Sequence, residues 1–505
     1  MNTNKHNDER IDLNPHHLVR YLDKPSEDFT KKDIIKYIEE NGIKMLNFRY
    51  TGGDGRLKTL NFVINNKHHL DHILSTGERA DGSNLFSYID AASSDLYVVP
   101  RYKTAFIDPF AEVPTLDLVC SFYTRKGLPL DSAPENIVKK AHDVLKEKTG
   151  FTFEVLGELE YYLLSEVDAI YPIIQQKGYH ESHPFSKWGA IRREAMQLIS
   201  EMGGQIKYSH AEVGNIIHDD IEMVQHEIEL LPTPVEDAAD QLVLAKWVLR
   251  EVAYKYNLEI SFAPKIIVGH AGSGMHVHAR LVKDGQNMLV NKGNAQLSET
   301  AKKLIAGFLQ LAPSLTAFGN TVPTSFLRLV PHQEAPTSVC WGDQNRSVLV
   351  RVPLGWVGVK NMIKDANPKE PEDISQTMNA MNSQTVELRS PDGSANVHQL
   401  LAGMTVAALQ GIENQDSLKI AENLYVASDA SKRPDLEHLP ASCWEAAERL
   451  LKDRQFYEKN NVFPSRMIDK LAADLKAHND KGLSEKLFGN ADALKELVHR
   501  FIHCG

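Results

Sequence analysis

Carboxylates that recur on strand-like runs where a sheet should be apolar restrict this chain more than any other feature. In GELEYYLL, Glu158 and Glu160 alternate onto one face, because successive side chains of a strand point to opposite sides. QHEIELL places Gln225, Glu227 and Glu229 together in the same way, and TVELRS does so for Glu387 and Arg389. The stretch HAGSGMHVHARLV sets His276 and His278 on one face and Met275 and Val277 on the other. SHAEVG adds Glu212 just ahead of an expected loop. A single pair of this kind reads as an ordinary solvent-facing strand. Three pairs with a histidine strand point elsewhere, because like charges crowded on one wall repel unless cations lie among them. Glutamate oxygens with few imidazoles favour a hard divalent ion, Mg²⁺ or Mn²⁺, over zinc.

The segment SFLRLVPHQEAPTSVCWGDQNRSVLVRVP carries Arg328, Arg346 and Arg351, with Glu334 in a loop between them. Guanidinium forks suit carboxylates and phosphoryl oxygens. Neither a GxxxxGK[ST] loop nor a GxGxxG turn after a strand is present, so a nucleotide would have to bind in another way. The formal charge is −11 without a densely basic window, which argues against nucleic acid or an anionic membrane as partner. Cys120, Cys340, Cys443 and Cys504 are far apart and form no CxxC, which suggests free thiols rather than a disulfide framework. No apolar run approaches the ~20 residues of a membrane span. The chain reads as a cytoplasmic protein.

Residues 1–29 read as a polar, aperiodic N-terminal extension, with order beginning at the helical pattern KKDIIKYIEENGIK. A small strand-rich domain is expected over 30–127, opening with a hairpin around Gly-Gly-Asp-Gly. A large domain is expected over 128–505. It starts with a helix that Ser132 caps and Gly150 ends, continues as strands alternating with helices near 190–202, 236–256, 298–311 and 395–412, and finishes in a helical C-terminal region.

Taken together, ADGSN followed by SDLYVVP, GSGMHVH, RLVPxxEAP, NRSxxxRVP and ExRxPDxSAN, in that order from about residue 80 to 412, resemble the signatures of the glutamine synthetase family. The resemblance implies an α+β fold: an N-terminal β-grasp-like domain and a catalytic domain with a curved antiparallel sheet and surrounding helices. It also implies a homo-oligomer of stacked rings, a dodecamer, whose active sites lie between subunits. By position it gives Glu160, Glu212 and Glu227 as ligands of one metal ion and Glu158, His276 and Glu387 as ligands of a second, with two or more Mg²⁺ or Mn²⁺ per site. It gives His278, Arg346 and Arg351 to the ATP side, and Gly272, Arg328, Arg389 and Tyr179 to substrate binding. Asp81 would take the ammonium proton, Glu334 would close over the intermediate, and Arg346 would act on the transferred phosphate.

The implied activity is an ATP-dependent ligation of glutamate and ammonia through a γ-glutamyl phosphate. Departures from the pattern surround substrate and nucleotide: Ala271 where Asn is usual, Thr385 where Arg is usual, Arg280 after the histidine pair, and extra residues between Glu212 and Gln225 that lengthen a loop. They keep two alternatives open: a ligase that joins glutamate to a larger amine, and a catalytically silent ring-forming scaffold.

Overall fold

A computed structural model describes residues 10–89, 94–291, 296–330, 335–355, 362–369, 383–487 and 489–505. Among them, two sheets organise the chain. The first is built from β1 (Met45–Thr51), β2 (Leu57–Val63), β3 (Glu78–Asp81), β4 (Asp95–Pro100), β5 (Phe106–Ile107) and β6 (Thr115–Thr124). Its order is β2-β1-β6-β4-β3, with β5 on β6. β1 and β2 form the expected hairpin, and β1 runs parallel to β6. The helix Lys31–Glu40 turns Ile34, Tyr37 and Ile38 into the core of this sheet, giving the β-grasp-like arrangement.

The second sheet holds β7 (Thr152–Glu166), β8 (Ile206–His218), β9 (Ile221–Leu230), β10 (Thr233–Pro234), β11 (Glu259–Ser261), β12 (Met275–Lys283), β13 (Gln286–Asn287), β14 (Trp341–Asp343), β15 (Val350–Val352) and β16 (Val386–Leu388). Its main path is β14-β15-β16-β12-β7-β9-β8, antiparallel except at β14–β15. Helices Pro134–Thr149, Val235–Lys255, Glu299–Gly319 and Val397–Glu413 contribute to one large apolar core with this sheet. Close approach matters at Gly157, where an added Cβ would lie 2.6 Å from Leu242 Cδ2 of the helix Val235–Lys255. That helix also holds the first domain: Asp240 pairs with Arg101 at 2.7 Å, and the Arg49 guanidinium lies 4.2 Å over the Trp247 ring. No helix of the described residues is long and apolar enough to cross a membrane.

Several sequence expectations change. Order begins before residue 30: His17–Leu22 is helical, and Leu18, Val19 and Phe29 are buried in the first domain's core. A helix of six residues is too short to display a periodicity in sequence. Ser132 does not cap the following helix, which starts at Pro134 with Ala133 at the cap position; the Glu135 carboxylate instead accepts the Phe122 N–H. That helix ends at Gly150, at φ +71°, as the sequence predicts. The stretch between Glu212 and Gln225 is a β-hairpin rather than a lengthened loop, and Glu212 lies inside β8 at an irregularity in its pairing.

His16 fixes the N-terminal segment. Its Nδ1 accepts from the N–H groups of Leu18 and Val19, capping the short helix, and burial lowers its pKa to about 4. The unfolded chain, with the ordinary value of 6.5, then binds the extra proton in this range. Stability present above pH 6.5 is therefore lost as pH falls towards 4, by up to about 3 kcal/mol. His16→Asn, which keeps a capping side chain without the titration, is expected to flatten the fall in Tm between pH 7 and 4.5. An acid dependence identical to that of the unmodified chain would contradict this assignment.

Candidate active site

Strand register writes the polar side chains into rows across one wall of the second sheet. In the first row His278 of β12 stands between Leu156 of β7 and Glu387 of β16, and Glu387 faces Arg351 of β15. In the next, Glu158 of β7 stands between His276 of β12 and Glu229 of β9, with Tyr208 of β8 beyond. In the third, Glu227 of β9 stands between Glu160 of β7 and His210 of β8. Side chains as far apart in sequence as Glu158 and Glu387 become neighbours because β7 and β16 both pair antiparallel with β12, which lies between them.

The rows close into small groups. Glu158 Oε2 lies 2.9 Å from His276 Nδ1, and Glu158 Oε1 lies 2.9 Å from His278 Nε2. Glu387 Oε1 is 3.6 Å from His276 Nδ1, while Arg351 and Arg389 donate to its two oxygens at 2.8 and 3.1 Å. Ligand atoms of Glu158, His276 and Glu387 lie within 4.8 Å of one another, the grouping the resemblance implies for one cation. The second grouping differs from expectation: His210, Glu212 and Glu227 gather within 4.8 Å, with His210 where Glu160 was expected. Glu160 Oε2 instead accepts from Gly274 N at 2.8 Å and Gln225 Nε2 at 3.2 Å, and its Oε1 lies 3.9 Å from His276 Nδ1. A third grouping joins Glu158, Glu229 and His278.

Charge on this wall is unevenly held. Burial raises the Glu227 pKa well above the ordinary range, and Glu158, Glu160, Glu212 and Glu229 raise it further. Burial opposes ionisation of Glu158 too, but His278 and His276 outweigh it and hold Glu158 well below the ordinary value. Burial likewise lowers His278, yet Glu158, Glu387 and Glu229 leave it raised. Glu229 is buried; Lys207 reaches one of its oxygens at 2.5 Å and the other has no hydrogen-bond partner. A buried carboxylate oxygen left so is costly. The donor set, carboxylates with imidazoles and an unpartnered oxygen, fits hard divalent cations.

The wall faces a cavity of about 1120 Å³, lined also by Arg346, Arg351, Arg389, Thr385 and Tyr179. Thr385 Oγ1 meets His278 Nδ1 at 2.8 Å, and Arg389 donates to the Arg346 carbonyl. Tyr179 hydrogen-bonds the Arg346 side chain and stacks on His180, ring centroids 4.2 Å apart, which in turn lies 4.4 Å from His210. Gly272, Arg328 and Asp81 do not line this cavity. Gly272 accepts from Gln225, and a Cβ there would meet the Pro264 carbonyl at 2.3 Å. Arg328 is buried, giving hydrogen bonds to the carbonyls of Ser390 and Arg389 and meeting His276 Nε2 at 3.3 Å. Asp81 is exposed in the first domain, holding Ser83 and Asn84 by hydrogen bonds. Glu334 lies outside the described residues. Arg280 pairs with Glu154, and Ala271 is held through its backbone by Gln176 and Tyr162. His210 and Glu229 were not assigned from sequence. Their signal was the i, i+2 spacing to Glu212 and to Glu227.

Comparison with other proteins agrees with this geometry. The family model for the glutamine synthetase catalytic domain matches residues 131–480, and that for the glutamine synthetase β-grasp domain matches residues 42–125. A glutamine synthetase of Clostridium saccharobutylicum is 30% identical over 440 residues, covering 85% of this chain and 91% of the relative. A 3-hydroxylaminophenol mutase of Cupriavidus pinatubonensis is 29% identical over 473 residues, covering 86% and 93%. The solved structure of Plasmodium falciparum glutamine synthetase superposes with a TM-score of 0.72 at 19% identity, covering 90% of this chain and 97% of the other.

Removing a carboxylate or imidazole from the Glu158, His276, Glu387 group is expected to weaken divalent-cation binding steeply, by about 10- to 100-fold or more. Calorimetric titration of Mn²⁺ into Glu158→Ala and His276→Ala checks this. Unchanged affinity and stoichiometry in both would remove the cation assignment.

Proposed function

We propose that this chain, which belongs to the glutamine synthetase family, is a ligase that uses ATP to join the γ-carboxyl of glutamate to ammonia. The observation that carries the reading is the wall of carboxylates and imidazoles that lines one cavity together with Arg346, Arg351 and Arg389. Such a site suits a reaction in which negative charge builds on phosphoryl oxygens. In the proposed sequence a γ-carboxylate oxygen of glutamate forms a bond to the terminal phosphorus of ATP, and the bond from that phosphorus to the ADP oxygen breaks. The amine nitrogen then attacks the acyl carbon, phosphate leaves with the bonding pair, and the nitrogen gives up a proton.

Divalent cations held by Glu158, His276 and Glu387, and by Glu212 and Glu227 with Glu160 or His210, would supply neutralisation of the phosphoryl oxygens. The protein's own part is positioning. Glu387 anchors Arg351 and Arg389, so their guanidinium groups enter the cavity pre-aimed rather than free to swing. Thr385 fixes the orientation of the His278 ring towards the nucleotide side. Tyr179 orients Arg346 for the transferred phosphoryl group. Gly272, Arg328 and Arg389 are assigned to the amino-acid end, Arg328 acting through the carbonyls it holds. Asp81, contributed by a neighbouring subunit of a ring, would take the proton from ammonium, and Glu334 would shield the acyl phosphate from water.

One observation favours a second reading. Tyr179, His180 and His210 form a contiguous ring surface beside Glu212 and Glu227, which offers an alkylammonium ion both π faces and anionic partners. Phosphate release measured with ATP, glutamate and a panel of ammonia, alkylamines and diamines separates the readings. Ammonia is expected to give the highest kcat/KM at equal free-base concentration. A larger amine with the higher value would transfer the assignment to the second reading, and no turnover with any acceptor would favour the scaffold.

Shared sites make a further prediction. Asp81→Ala and Glu387→Ala chains are each expected to be inactive alone and to recover part of the activity when assembled together, because some interfaces then carry neither change. No recovery in verified mixed assemblies would place Asp81 outside the site.

A further inference from the structure

Lys207 reaches the polar wall through an irregularity in β8. Ile206 lies opposite Leu230 of β9 and Tyr208 opposite Glu229, so two steps along β8 match one step along β9, and Lys207 is the extra residue. In regular pairing Lys207 and Tyr208 would point to opposite faces; a bulge of this kind re-aims a side chain. Both residues line the cavity together with Glu158, Glu229 and His278. Lys207 Nζ lies 2.5 Å from Glu229 Oε1 and 5.0 Å from the centroid of the Tyr208 ring, so a carboxylate and a π face hold the ammonium.

The place it takes is one that could hold a metal ion. Ligand atoms of Glu158, Glu229 and His278 lie within 4.8 Å of one another. Glu229 is 1% exposed and its Oε2 has no hydrogen-bond partner, so its charge is poorly screened by water and calls for a cation. Within the group, Glu158 Oε1 lies 2.9 Å from His278 Nε2, and Glu229 Oε1 is held by Lys207. A divalent ion added among these atoms would sit beside the ammonium on one carboxylate, and burial strengthens the repulsion between the two cations. The lysine ammonium is a compact point charge with three donors, enough for Glu229 and for an anionic ligand in the cavity.

Resting on the reading that this wall binds divalent cations, we propose that Lys207 is a built-in cation that takes the place of a metal ion in the Glu158, Glu229, His278 group. Divalent ions then load at the group of Glu158, His276 and Glu387 and at that of Glu212 and Glu227, while the third positive charge comes with the chain. It neither dissociates nor varies with the free metal concentration.

The test counts Mn²⁺ ions per chain by calorimetric titration of the full-length, assembled protein. Lys207→Met is expected to bind about one more Mn²⁺ per chain than the unmodified protein, because the vacated carboxylate takes an ion instead. Lys207→Arg, which keeps the charge, is expected to leave the count unchanged, and adding Glu229→Gln to Lys207→Met is expected to abolish the extra ion. An equal count in the unmodified protein and Lys207→Met, or an extra ion that survives Glu229→Gln, overturns the assignment while leaving the divalent-cation reading intact. Glu229→Gln alone gives an independent check that leaves no charge buried without a partner at Glu229: the count is expected to stay the same, and loss of an ion there shows that Glu229 already held a metal and overturns the proposal. Failure of the unmodified protein to bind Mn²⁺ at all overturns the divalent-cation reading and this inference with it.

Discussion

Crowding of carboxylates on a buried sheet wall is the constraint to which the rest of the molecule answers. Glu158, Glu160, Glu227, Glu229 and Glu387 occupy neighbouring positions across β7, β9 and β16, where water cannot screen them fully. The chain offsets part of this repulsion with its own cations. His276 and His278 hold Glu158 ionised against its burial, and Arg351 with Arg389 occupies Glu387. Lys207 takes one oxygen of Glu229. What remains uncompensated is around Glu227, whose carboxyl is pushed upward by burial and by four carboxylate neighbours, and there bound cations would relieve the most unfavourable charge.

Keeping such a wall in place needs an apolar layer behind it and fixed loops beside it. Gly157 lets the helix Val235–Lys255 press directly on β7 behind Glu158, so the acidic row is backed by the main core. The loop after β16 is held from below: Asn320 and Arg328 donate to the Ser390 carbonyl, and the buried Lys246 donates to that of Gly393. These bonds fix Glu387 and Arg389 at the cavity edge without using a side chain of the cavity itself. Arg328 thus acts by positioning, through backbone carbonyls and His276, and a substitution there would disturb several partners at once.

On the proposed reading, selectivity has a different location from the chemistry. The wall repeats donor types that any phosphoryl-transfer reaction could use, whereas the Tyr179, His180 and His210 rings form a shaped surface beside it. Relatives carry names as different as glutamine synthetase and 3-hydroxylaminophenol mutase, so likeness along the chain does not by itself fix the substrate.

Alternation along each strand was legible from the sequence alone. The period of two put Glu158 with Glu160, Glu227 with Glu229, and His276 with His278 on shared faces, and the motifs around them pointed to the family and its α+β fold. Register was not legible, because it depends on which residue of a distant strand lies opposite, and that is settled by cross-strand packing and turn geometry. Hence His210, directly across from Glu227, entered the group expected for Glu160, and Glu229 came to face Glu158. Glu212 was read at a loop because an irregularity in β8 pairing breaks the alternation that marks a strand. Segment 10–29 looked polar and aperiodic because it is held by a few anchors, Leu18, Val19, Phe29 and the buried ring of His16. Such anchoring depends on a surface supplied by the rest of the fold, which only the tertiary structure brings to it.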